Sequence, residues 1–161
     1  MGSAPSLSGR DALEAAQVDQ WIVHLRSKTL PLAKMLAGAV FGSVDMTADE
    51  HAFLSNLIKE NLKTLNNQLK SRQWLCGGDG PTFADYLFVI SIVELEQCVM
   101  DSNLRTSLNF LHNHFKKVAA LDEVRGRMGA LKLGKKQLTA VCLSQKKEAA
   151  PAAEKKSKKK K

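Results

Sequence analysis

Apolar positions along the chain recur at spacings of three to five residues in several separate stretches, and no stretch sustains the alternation of a half-buried strand. Ser8 with Asp11 forms an S-x-x-D capping pattern that predicts a helix start. Leu13, Val18, Trp21, Ile22 and Leu25 then form a stripe opposite Glu14, Asp19 and Arg26. Lys28-Thr29-Leu30-Pro31 predicts an interruption, because proline lacks a donor and disfavours helix in the residue before it. Leu32 to Phe41 reads as a short helix or packed coil ended by Gly42. Thr47 with Glu50 is a second capping box, and Phe53, Leu57, Ile58, Leu62, Leu65 and Leu69 mark one helix face for about six turns, to near Arg72.

Trp74-Leu75-Cys76 leads into Gly77-Gly78-Asp79-Gly80-Pro81, a cluster suited to a turn. A third capping box comes next, with Thr82 placed to cap and Asp85 three residues on, flanked by Pro81 and Tyr86 at staple positions. This pair reads as helix initiation and not as a reactive site; losing such a cap costs about 0.5–2 kcal/mol. The segment from Tyr86 to Val93 is apolar on nearly all sides, and its β-branched residues would also suit a buried strand. The box at its start, and the absence of a turn signal before Asp101-Ser102-Asn103, imply about 17 residues, the length of a helix at the centre of a bundle. Leu104, Leu108, Leu111 and Phe115 form a further stripe, and Leu121, Val124 and Met128 another, with glycines at 126, 129 and 134 shortening any helix in that region. The expected fold is all-α.

Composition places this helical chain in a class. Its 161 residues, 44% apolar, suffice for one domain with a core. The longest near-continuous apolar run falls far short of the roughly 20 residues a membrane helix needs, so no membrane span is expected. Nor does the start read as a secretory leader. Cys76, Cys98 and Cys142 are odd in number and lack C-x-x-C spacing, which predicts reduced thiols and a cytoplasmic protein. Cys98 reads as a small buried hydrophobe and Cys76 as exposed beside the turn. No partner base for a catalytic thiol is evident. His112 and His114, two residues apart on a helix, point about 200° apart and cannot chelate together. His24 and His51 have no further ligand at metal-binding spacing. No metal, cofactor or catalytic group is expected.

The net charge of +8 is unevenly spread. Residues 1–123 carry 11 bases against 14 acids, net −3, whereas residues 124–161 carry 13 bases against two acids, net +11. The expected organisation is a flexible N-terminus over residues 1–10, a helical domain over 11–143 and a disordered lysine-rich tail over 144–161. In the tail, Lys146, Lys147, Lys155, Lys156, Lys158, Lys159, Lys160 and Lys161 form a mobile polycation able to neutralise phosphates with steep salt dependence. Arg125, Arg127, Lys132, Lys135 and Lys136 would extend this basic region onto the folded surface. No aromatic residue interleaves the tail, so base stacking and sequence-specific readout are not expected. A merely solubilising or linking tail is the competing reading.

Glu14-Ala15-Ala16-Gln17-Val18-Asp19-Gln20-Trp21, then Trp74-Leu75-Cys76-Gly77 and Thr82-Phe83-Ala84-Asp85, together resemble the C-terminal helical domain of glutathione transferases. Over about residues 11–135 the order is similar to that family's: first helix, long second helix, turn, and T-x-A-D box opening the central helix. The first of these runs is most similar to the non-catalytic members in translation. These are the gamma subunit of elongation factor 1B, and domains of aminoacyl-tRNA synthetases and of accessory proteins of the multisynthetase complex. The resemblance implies a scaffold that docks onto synthetases or other glutathione-transferase-like domains, with a homodimer as one form of such pairing. It also implies tRNA affinity through the basic tail, or a link from that tail to a tRNA-binding module. An elongation factor 1B scaffold is the alternative, and the helical half of an active transferase a more distant one. Only about ten residues precede the first helix where the family has its thioredoxin-like half, so no glutathione site is expected. A chromatin-type binder, suggested by the AAPAAEKKSKKKK end, conflicts with the acidic globule.

Overall fold

The computed structural model describes residues 7–143, and every regular element among them is helical. Helix α1 spans Ala12–His24. Its cap is Asp11, whose carboxylate accepts from the Glu14 N–H at 2.8 Å. The Ser8 start predicted from the sequence is therefore displaced by three residues, because Asp11 itself adopts the extended cap conformation. Residues 7–10, assigned from sequence to a flexible terminus, are tied to the fold. The Phe83 N–H bonds the Leu7 carbonyl at 2.9 Å, and Arg10 pairs with Glu14 and Asp79.

The interruption expected at Lys28–Pro31 takes the form of a π turn over Leu25–Thr29, after which α2 continues over Leu30–Phe41. Pro31 supplies no N–H, and its ring crowds the carbonyl four residues back. Widening one turn accommodates that defect without ending the helical path. Thr29 is buried inside this turn and donates to Asn61 Oδ1 at 2.8 Å. Gly42, at φ 72°, closes α2 in the left-handed conformation.

Helix α3, Ala48–Leu69, begins with the predicted Thr47/Glu50 box. Ile58, Leu62, Leu65 and Leu69 face the core as expected, but Phe53 is 67% exposed and Leu57 45%, while His51 is buried. At its N-terminal end the helix turns a different face inward from the one its apolar residues mark. A similar correction applies to Leu13 on α1, which is 71% exposed.

Helix α4, Phe83–Glu94, runs into a second π turn, Leu95–Val99, and together they form the central element. Phe88, Val89, Ile92, Leu95 and Cys98 lie at or near zero exposure, in a central element packed by α1, the π turn after it, α2 and α6. Helices α5, Ser102–Ser107, and α6, Asn109–Ala119, break at Leu108, and α7 spans Asp122–Met128. Helix α6 has no side-chain cap of its own. Asn66 of α3 accepts from the Leu111 N–H at 3.0 Å, satisfying one donor that every helix start leaves open. None of these helices is long and apolar enough to cross a membrane.

Candidate functional site

Polar chemistry inside this bundle is concentrated where α6 faces the central helix. Thr82 and Asp85 open α4, and both are buried. The Asp85 carboxylate accepts from the Thr82 N–H at 2.8 Å and from the Thr82 hydroxyl at 3.0 Å. It also accepts from the Leu75 N–H at 2.9 Å, so the box pins the preceding turn as well as the helix start. His114 Nε2 lies 3.0 Å from Oδ1, the oxygen that accepts from Leu75, while both Thr82 donors go to Oδ2. Burial alone would raise the Asp85 pKa, but His114 and the two backbone donors outweigh it and hold the carboxyl below its ordinary range.

A second carboxylate, Glu96, is fully buried in the π turn. Arg105 Nε donates to it at 2.7 Å, and His112 Nδ1 lies 3.0 Å away. Arg105 also reaches the Glu96 and Gly134 carbonyls through its remaining nitrogens. The last carbonyls of a helix lack intrahelical partners, and here the segment after α7 supplies them. Gly134 N–H bonds Glu96 O at 3.3 Å, and Leu138 N–H bonds Cys98 O at 2.8 Å. A Cβ at Gly134 would stand 2.3 Å from the Gln97 carbonyl oxygen, a closeness that requires glycine. Residues 134–138 thus form a strap across the end of the central helix.

The strap and α7 present the basic residues singled out from sequence. Arg125, Arg127, Lys132, Lys135 and Lys136 are all exposed, two on α7 and three along the segment leading to the strap and through it. They share one stretch of surface chain, and none is ion-paired to a described residue. Lys146, Lys147, Lys155, Lys156, Lys158, Lys159, Lys160 and Lys161 lie outside the described residues, as does the rest of segment 144–161.

Nucleophile candidates sit in environments that favour their neutral forms. Burial pushes the Cys76, Cys98 and Tyr86 pKa values up. Cys76 is buried, correcting the exposed position expected beside the turn, and accepts a long contact from the Thr82 hydroxyl at 3.6 Å. Cys98 is buried as expected, its thiol directed to the Glu94 carbonyl. His112 and His114 do diverge, each meeting a different buried carboxylate.

Sequence reasoning missed the Glu96–Arg105–His112 cluster. Its one signal was Glu96 among Leu95, Cys98, Val99 and Met100 at the end of the apolar central segment, a place where a buried acid is tolerated only with a partner.

Solved structures share this fold, among them the following. The GST-like domain of elongation factor 1-gamma from Saccharomyces cerevisiae matches with a TM-score of 0.76 at 15% identity, over 81% of this chain and 59% of that one. Glutathione transferase F2 from Populus trichocarpa matches with a TM-score of 0.65 at 18% identity, over 74% of this chain and 57% of that one. A serine-to-cysteine mutant of poplar glutathione transferase F1 matches with a TM-score of 0.63 at 20% identity, over 74% and 56%. The chain therefore spans less than two thirds of each structure's length. No family model and no curated protein matches the sequence. The fold is that of the helical domain of glutathione transferases.

Proposed function

We propose that this chain is a non-catalytic interaction module of the translation apparatus, docking onto aminoacyl-tRNA synthetases or other glutathione-transferase-like domains in the cytoplasm. In this reading its basic end gives general tRNA affinity or links to a tRNA-binding domain. The observation that carries the proposal is the combination of this fold with a charge split of −3 in residues 1–123 and +11 in residues 124–161. The buried, neutral Cys76 and Cys98 support a role other than thiol catalysis. Exposure of Arg125, Arg127, Lys132, Lys135 and Lys136 is consistent with phosphate contact.

An elongation factor 1B scaffold is the second reading, favoured by the likeness to the elongation factor 1-gamma domain. Affinity purification separates the two: recovered synthetases favour the first, elongation factor subunits the second. The charge component is tested by measuring tRNA binding across a salt series, with and without residues 146–161. Deleting eight lysines is expected to flatten the slope of log affinity against log salt by several units, at about 0.7–0.9 for each phosphate no longer neutralised. Equal slopes for both forms would exclude a role for the tail in RNA binding.

A further inference from the structure

Beside the Asp85 cluster, α3, the turn after it and α6 enclose a cleft of about 200 Å³ lined by Arg72, Gln73, Phe110, Asn113, His114 and Lys117. Two of its residues hold buried nitrogens with no hydrogen-bond partner: Lys117 Nζ and His114 Nδ1. A third such atom, Trp74 Nε1, belongs to the ring beneath them. Lys117 Nζ sits 3.7 Å from the centre of the Trp74 ring, and the Trp74 and His114 rings meet edge to face at 5.9 Å.

Lys117 Nζ and Trp74 Nε1 have a common chemistry. A lysine ammonium has three donors and no acceptor, and an indole N–H donates only. Burying such groups without acceptors is costly, and the face of Trp74 replaces only part of the lost hydration. Asp85 does not answer the need, since its oxygens are taken by the Leu75 and Thr82 donors and by His114. Arg72 adds an exposed guanidinium at the rim. Burial lowers the Lys117 pKa, with the Asp85 charge opposing, as expected of an ammonium short of a counter-charge.

We propose that this cleft is a binding site for a single oxyanion, a carboxylate or phosphate group, with Lys117 as its principal ligand and Arg72 at its mouth. On binding, rotation about the flexible Lys117 stem carries the ammonium from the Trp74 face to the anion. The site lies in the near-neutral globule, apart from the basic tail, and does not depend on the proposed role in translation.

The chain contains two tryptophans, which makes the site directly observable. Indole N–H resonances of the full chain are followed by NMR during titration with inorganic phosphate or acetate at constant ionic strength, with Trp21→Phe assigning the signals. The expected result is a saturable shift of the Trp74 signal with Trp21 unmoved. Lys117→Met and Lys117→Gln, checked for native helix content, are expected to weaken binding about tenfold or more. Preference for phosphate over acetate identifies a phosphoryl ligand, and the reverse a carboxylate. Shifts no larger than sodium chloride produces, or binding by both Lys117 variants as tight as by the unsubstituted chain, would overturn the proposal.

Discussion

Replacing Asp85 with alanine removes the acceptor for two buried backbone N–H groups, those of Leu75 and Thr82, and the partner of His114. A buried donor left unpaired costs about 1–3 kcal/mol, and here two backbone donors lose their acceptor together while His114 loses its neighbour. These losses share one carboxylate and do not add fully, so a destabilisation of about 4 kcal/mol is expected. Against a typical stability of about 5–15 kcal/mol this is severe. The comparison is Thr47→Ala in the exposed box of α3, where the expected loss is about 1 kcal/mol. Urea unfolding followed by helical circular dichroism measures both, and Asp85→Asn, which keeps the shape and one acceptor, gives an intermediate value if the alanine variant does not fold. The two boxes have the same sequence form, so equal losses at Asp85 and Thr47 would refute the idea that burial and the link to Leu75 separate them. Acid provides a second check. Because the folded Asp85 pKa is depressed, its contribution is fully present above the ordinary carboxylate pKa of about 4 and lost as pH falls through the folded value. The gap between wild type and Asp85→Asn should therefore be widest above about pH 4 and shrink below it.

Gly134→Ala forces the strap away from the Gln97 carbonyl, with an expected cost of about 1–3 kcal/mol. Faster hydrogen exchange at the Leu138 amide should accompany the loss, since its bond to Cys98 depends on the same approach. Phe53→Ser, by contrast, should change stability by no more than about 0.5 kcal/mol in thermal unfolding, because the ring is largely exposed despite lying on the apolar stripe.

The capping signals at Thr47/Glu50 and Thr82/Asp85 were legible because each depends on residues three apart, and the length of the central element could be read from the turn signals around it. Where the sequence reading failed, the deciding contact came from a distant element. Helical spacing alone groups Phe53 with Leu62, but which face turns inward depends on the packing of α3 against α2 and α6. The rotation that exposes Phe53 buries His51. The candidate site shows the same division. An exposed cluster such as Arg125 to Lys136 is visible as a run in sequence, whereas Asp85, His114 and Lys117 are brought together by the closure of α6 on the central helix. Thr82 and Asp85 therefore carry two roles that sequence spacing reports as one. They start the helix, and through His114 they hold the α6 face on which Lys117 lies, so the integrity of this box bears on the geometry of the cleft as well as on the stability of the bundle.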